Sequence, residues 1–364
     1  MILSLEISIF DCKSMIMKGT YPLSTYEINM DAMSNTSSTF TINKNKNVSI
    51  GDYVAIKESS NNFGVLYYGQ ITTVDTTPDT NTASLTTNYI WNVLNGDILV
   101  NSISGSSYEQ HILKLINGYV SSNKNTNIMS YSITNSTNTS FSVSSSDGIT
   151  TSNFIDYLIR GFKLHNTYLN VSGIGEKQTG DNIIYYPEFD FKQNTDLWNF
   201  KDDIYDFRDW QVTDSRYLRG YNNELWIVDK ASNSIENPTI LKKYWLQNDG
   251  SVVQSITDKV SLPTQVQIYI YDKTATDNPT YDNIASSNLS GNTYSHSIKF
   301  STKIDNNFLP FKKIKLGLQS NIYYGDNVYK SILSAYSISS SSNLINLTFG
   351  NLRFGRQDLF GNNL

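Results

Sequence analysis

The chain has 364 residues, with 28 Lys and Arg against 33 Asp and Glu, a formal net charge of −5 and only 17% charged residues. No extended block of like charges and no basic stripe appears, which argues against a general nucleic-acid-binding domain. Cys12 is the sole cysteine, so no disulfide closes within the chain. The length suggests two or three domains. Twenty-five Tyr, 16 Phe and 5 Trp suit β-sheets and protein interfaces, because a tyrosine covers an apolar face while its hydroxyl reaches water or a partner. Met1–Ile7 has no basic n-region and Glu6 interrupts its apolar stretch, so no secretory signal is expected. No apolar run reaches the roughly 18 residues that a membrane-spanning helix needs.

In chain order, Thr39–Ile42 alternates polar and apolar residues, and Ile50–Lys57 and Val65–Ile71 follow as strands, separated by Asn, Ser and Gly. Short β-rich runs punctuated in this way predict a small barrel or sandwich. Ala83–Leu94 adds an expected strand pair. Tyr108, Ile112, Leu115, Ile116 and Tyr119 then recur at helical spacing, behind a Ser107/Gln110 capping box. A second helix is predicted from about Asn153 to Phe162, with Phe154, Tyr157 and Leu158 on one side. Between the helices, Ser130–Ser146 reads as polar strands or a hairpin. Beyond Asn223, Leu225–Val228 is a buried strand, and Gln265–Tyr271 alternates strictly, which places one side on a core. Ile314–Leu318, Tyr329–Ile338 and Leu344–Phe349 complete a second barrel. The expected class is mainly β with an α+β insert. A first β-barrel covers 1–100, an α+β domain 101–200, a β-rich accessory domain with part of the second barrel 201–300, and the second β-barrel 301–364.

Few residues suggest chemistry. His111, His165 and His296 have no metal-ligand spacing, and His111 suits packing or a surface position. No G-x-S-x-G elbow occurs, and Cys12 reads as a partly buried thiol. Asp202, Asp203, Asp206, Asp209 and Asp214 form the densest acidic cluster, but the EF-hand pattern is absent and Lys201, Arg208 and Arg216 interleave with the acids. That favours a solvated, salt-bridged face over a calcium loop or a catalytic carboxylate pair. Gly173-Ile174-Gly175 lacks the third glycine of a phosphate loop. N-x-[ST] triplets such as Asn47-Val48-Ser49 are expected by chance here. No catalytic, cofactor-binding or metal residue is assigned.

Val48–Ile56 leading into Tyr68-Gly69-Gln70-Ile71 resembles the first barrel of phage tail hub proteins, the N-terminal domains of siphophage tail-associated lysins and the hubs of contractile baseplates. Tyr324-Gly325-Asp326 and Leu347–Arg353 resemble the last barrel of that family, and the length is similar to the short, lactococcal-type hub. The resemblance implies a homotrimeric ring whose two barrels per chain present six similar surfaces to a hexameric distal tail protein. It also implies contact with the tape measure protein and with receptor-binding proteins, and passage of DNA through a channel that opens at genome ejection. The expected location is the virion tail tip, after synthesis in the host cytoplasm. No cofactor and no lytic activity are expected, since Leu364 lies close behind the last strand.

Three rivals stay open. A receptor- or carbohydrate-binding module would use Trp91, Trp198, Trp210, Trp226 or Trp245, although Trp226 in its apolar strand reads as core. A glycosidase or peptidase lacks its motifs. A type VI secretion spike would continue into a needle.

Overall fold

The computed structural model describes residues 3–43, 47–60, 64–76, 81–101, 107–122, 132–134, 149–214, 222–247, 251–260, 262–275, 278–289 and 296–350. The first part holds seven strands: β1 (Leu5–Phe10), β2 (Met17–Pro22), β3 (Thr25–Asp31), β4 (Ser37–Asn43), β5 (Tyr53–Glu58), β6 (Val65–Thr76) and β7 (Thr82–Tyr89). Period-two patterning explains them. In β3, Tyr26, Ile28 and Met30 are buried, and in β7 Ala83, Leu85, Thr87 and Tyr89 are buried while the residues between are only half covered. The strand pair expected over Ala83–Leu94 is one strand and a 3-10 turn at Ile90–Leu94.

The middle part comprises β8 (Asp97–Asn101), α1 (Tyr108–Ser122), β9 (Ser132–Thr134), β10 (Ile149–Asn153), α2 (Phe154–His165), β11 (Thr167–Thr179) and β12 (Asn182–Gln193). Both predicted helices are present. The Ser107 hydroxyl accepts the Gln110 N–H at 3.2 Å. Asn153 caps α2 by accepting from the Ile155 and Asp156 N–H groups, and Asn166 closes it in the left-handed region at φ 51°. Phe154, Tyr157 and Leu158 are buried as expected. Of the span Ser130–Ser146, only β9 lies within the described residues. It pairs in parallel with β12, and β12 forms a long antiparallel hairpin with β11.

The last part begins with β13 (Leu197–Lys201) and β14 (Phe207–Asp214). It is interrupted by β15 (Glu224–Asp229), β16 (Ile240–Leu246), β17 (Val252–Val253), β18 (Val266–Tyr271) and α3 (Tyr281–Leu289). It ends with β19 (His296–Lys303), β20 (Gln319–Tyr324), β21 (Asn327–Ser339) and β22 (Leu344–Gly350). Ile314–Leu318 is not the strand its apolar alternation suggests. A 3-10 turn at Phe311–Lys313 and a turn through Gly317, at φ 80°, hold that segment outside the ladder.

The fold is mainly β. Strands of the first and last parts join in one 13-stranded sheet, ordered β14-β19-β22-β21-β3-β4-β7-β6-β5-β1-β2, with β20 bridging β21 and β13. The seam between its halves is the antiparallel pairing of β3 with β21, which sets Met30 opposite Tyr336 and Ile28 opposite Ile338. Tyr26 and Ser340, 314 positions apart, extend the seam: the Tyr26 N–H donates to the Ser340 hydroxyl at 3.1 Å, and the Ser340 N–H donates to the Tyr26 carbonyl at 2.9 Å. A single apolar core underlies both halves together with α1 and α2. Its C-terminal end is aromatic, with the Phe200 ring 5.3 Å from Phe207 and Phe300 and 5.4 Å from Phe349. Each such buried ring contributes about 1.5–3 kcal/mol.

The inserted sheet, ordered β17-β16-β15-β18, has its own core of Leu225, Ile227, Tyr244, Leu246, Ile284, Ala285 and Leu289. As the alternation predicts, one side of β18 meets this core, and it is the tyrosine side. Tyr269 and Tyr271 pack on this core, whereas Ile268 and Ile270 are each 58% exposed. Helix α3 draws that side inward, because the Tyr271 ring packs edge-on against Tyr281 at 4.9 Å.

Candidate functional site

The residues weighed for catalysis are dispersed. His111 is buried on α1, where burial and the nearby Lys114 charge hold its pKa below the usual histidine value. His296 is buried in the C-terminal half, with Nε2 2.8 Å from the Ser331 hydroxyl. The side chain of His165 lies outside the described residues. Cys12 is partly buried beside Gly51. Gly173 and Gly175 lie inside the β11–β12 hairpin rather than in a phosphate loop. Gly51-Asp52 and Gly325-Asp326, in the two stretches that carry the family resemblance, are placed differently. Asp52 is buried at the head of β5, whereas Gly325-Asp326 is the two-residue turn joining β20 to β21.

The acidic cluster is a surface turn. Asp202, Asp203 and Asp206 are exposed between β13 and β14, and the Gly325 N–H donates to Asp202 Oδ2 at 2.9 Å. Asp209 sits at φ 56° in an irregularity of β14, and the side chain of Asp214 and all of Arg216 fall outside the described residues. The interleaved cations stack on rings: Arg208 lies 5.2 Å from the centre of Tyr205, and Lys201 lies 5.6 Å from that of Tyr323. Among the described residues, no group of three His, Cys, Asp or Glu is placed to hold a metal. Tyr205 itself is 83% exposed at the tip of the turn.

A cleft of about 720 Å³ opens where the seam meets the middle part. Met30 and Tyr336, partners across the seam, line it together with Tyr168 and the segment Phe311–Leu316. Lys312, Lys313 and Lys315 stand exposed on its rim. Lys192 also lines it but is neutralised by Asp190 at 2.9 Å, which leaves Asp196 as the other acid facing the three rim lysines. The sequence showed three lysines in four positions, but no local pattern revealed the cleft that they border.

The outer face of the inserted sheet is the second unusual surface. Trp226 lies there rather than in a core, opposite Ile268, with its indole N–H donating to Glu224 Oε1 at 2.6 Å and the Lys243 ammonium 4.2 Å from its ring centre. The other tryptophans are packed to differing degrees. Trp91 is buried and donates to the Leu169 carbonyl at 3.0 Å, Trp210 stacks on Phe300 at 4.3 Å, and Trp198 lies edge-on to Phe308. Among the described residues, no helix is long and apolar enough to cross a membrane.

No family model matches the chain, and no curated protein matches it in sequence. Solved structures do. A chain of the phage P2 baseplate in its activated conformation with Ca is 17% identical at a TM-score of 0.51, with 96% of this chain and 99% of that one covered. The 43 kDa tail protein of prophage MuSo2 from Shewanella oneidensis is 8% identical at a TM-score of 0.55, with 96% and 98% covered. A prophage tail protein from Listeria monocytogenes EGD-e is 11% identical at a TM-score of 0.51, with 98% and 97% covered. Sequence identity this low with near-complete coverage speaks to architecture, and the architecture of this chain is the hub-like fold of phage baseplate and tail proteins.

Proposed function

We propose that this chain is a structural, non-enzymatic hub at the distal tip of a bacteriophage tail. It forms a homotrimeric ring that closes the tail tube and opens for genome ejection. The observation that carries this reading is the end-to-end likeness in fold to phage baseplate and tail proteins, with 96% or more of the chain covered in each comparison described above. The two halves of the long sheet supply the repeated surfaces. Three chains present six of them, which suits a hexameric distal tail protein as partner. The tape measure protein and receptor-binding proteins are the further partners, and DNA is cargo in transit. Opening requires a subunit interface with two packings of similar free energy.

Light scattering on the purified chain tests the ring: the expected mass is that of three chains, and a monomer at high concentration overturns it. Electron microscopy of intact particles with an antibody to this chain tests the location, with label expected at the tail tip.

A second reading, a receptor- or carbohydrate-binding module, is favoured by the placement of Trp226 on the outer face of the inserted sheet. Glycan-array binding that Trp226→Ala abolishes would support it over the hub.

A further inference from the structure

The acidic turn and the lysine-rimmed cleft lie at opposite ends of the parallel β13–β20 pair. β13 pairs with β20 in parallel from Leu197/Gln319 to Lys201/Tyr323. The lysine segment enters the pair at its first end, where the Gln319 N–H donates to the Asp196 carbonyl. The acidic turn leaves the other end, where Asp202 holds Gly325. The pair is about 16 Å long, so within one chain the acids and the rim lysines cannot neutralise each other. Among the described residues, none of Lys312, Lys313 and Lys315 forms an ion pair. The turn also carries an anchor: Tyr205, 83% exposed, stands between Asp203 and Asp206. The cleft offers the complementary charge, with apolar walls from Met30, Tyr168 and Tyr336 beneath a cationic rim.

We infer that the Tyr205 turn of one copy docks into the cleft of the next copy, with the tyrosine among the apolar walls and Asp203 and Asp206 against Lys312, Lys313 and Lys315. Exposed aromatic side chains that fill a neighbour's pocket dominate interface energetics, and opposite charges at the rim set orientation and association rate. Donor and acceptor surfaces differ, so the contact is head-to-tail, the type that closes into a ring when the rotation per copy is right. This inference rests on the self-assembly proposed above and names the surfaces that produce it.

The test is sedimentation of the full chain across a concentration series at low and high salt. Wild type is expected to assemble, more weakly at high salt. Tyr205→Ala, the pair Asp203→Lys and Asp206→Lys, and the triple Lys312→Glu, Lys313→Glu and Lys315→Glu are each expected to weaken association at least tenfold. Asp202 is left intact because it holds the β20–β21 turn. The chain carrying both charge reversals together is expected to regain assembly, which loss of folding alone would not permit, and circular dichroism melting checks each variant. An assembly indifferent to all these changes overturns the docking contact while leaving the ring standing. A monomeric wild-type chain overturns both.

Discussion

The Lys18 ammonium lies 2.9 and 2.8 Å from the two carboxylate oxygens of Asp52, tying β2 to the head of β5 with side chains only 14% and 1% exposed. Asp52 also accepts the Ser49 N–H at 2.8 Å, so one carboxylate fixes the entry to β5 and one edge of the long sheet. Removing Lys18 strands the Asp52 carboxylate, which is only 1% exposed, whereas Lys18 also has Asp11 at 3.5 Å. Lys18→Met is expected to lower unfolding free energy by about 3 kcal/mol, and the double variant Lys18→Met with Asp52→Asn is expected to recover part of that loss. Urea denaturation checks both.

Two adjacent tyrosines are expected to respond in opposite ways to loss of their hydroxyls. Tyr67 accepts the Thr87 hydroxyl at 2.9 Å, whereas the Tyr68 hydroxyl is buried with no hydrogen-bond partner among the described residues. Tyr67→Phe is expected to cost about 1 kcal/mol. Tyr68→Phe, which keeps the ring stacked between Phe10 and Tyr53, is expected to be neutral or stabilising by about 1 kcal/mol. Thermal melts of the two variants separate these outcomes.

Alkaline pH should unfold the chain. Burial pushes the phenols of Tyr53, Tyr67, Tyr68 and Tyr89 well above their ordinary value of 10.0. The unfolded chain therefore releases these protons from about pH 10 upward while the folded chain retains them, so stability falls as pH rises. Lys18 acts in the same direction. Burial pulls its pKa down, but the hydrogen bond and charge of Asp52 outweigh this and raise it above 10.5, so its contribution is lost as pH climbs through that raised value. Tyrosinate absorbance followed with circular dichroism is expected to show these four phenols ionising only as the fold is lost.

Asn166 joins three parts of the chain from one side chain. It closes α2 in the left-handed region, and its amide donates to the carbonyls of Asn194 and Gly317, each at 2.9 Å. Asn166→Gly preserves the backbone conformation and removes both bonds. The expected loss is about 1–3 kcal/mol, measured by chemical denaturation.

The two faces of β18 give a direct contrast. Ile268→Thr with Ile270→Thr is expected to change stability by less than about 0.5 kcal/mol. Leu225→Ala in the insertion core is expected to cost about 2–5 kcal/mol. Equal losses would mean that the isoleucines face inward.

Much of the fold was legible because it is local. The alternation through Thr39–Ile42, found in β4, and the Ser107/Gln110 capping box ahead of α1 state their element types directly. The orientation of β18 was not legible, because period-two patterning defines two faces without saying which one meets the core. Among the described side chains of short, polar α3, Ile284, Ala285 and Leu289 are buried, and they decided the matter. Ile314–Leu318 carried a strand pattern that Gly317 overrode. The cleft depends on Met30 meeting Tyr336, a pairing with no local signature, so three lysines were visible in the sequence but not the hollow beneath them.

The β3–β21 seam also bears on how the chain emerges from the ribosome. At roughly 5–20 residues per second, β3 leaves about 15–60 s before its partner strand is synthesised. Throughout that interval the nascent N-terminal half presents a bare strand edge. Shielding by a chaperone, or delayed compaction, is therefore a condition of high yield, and a chain cut short before Asn327 carries that edge permanently and is prone to aggregate.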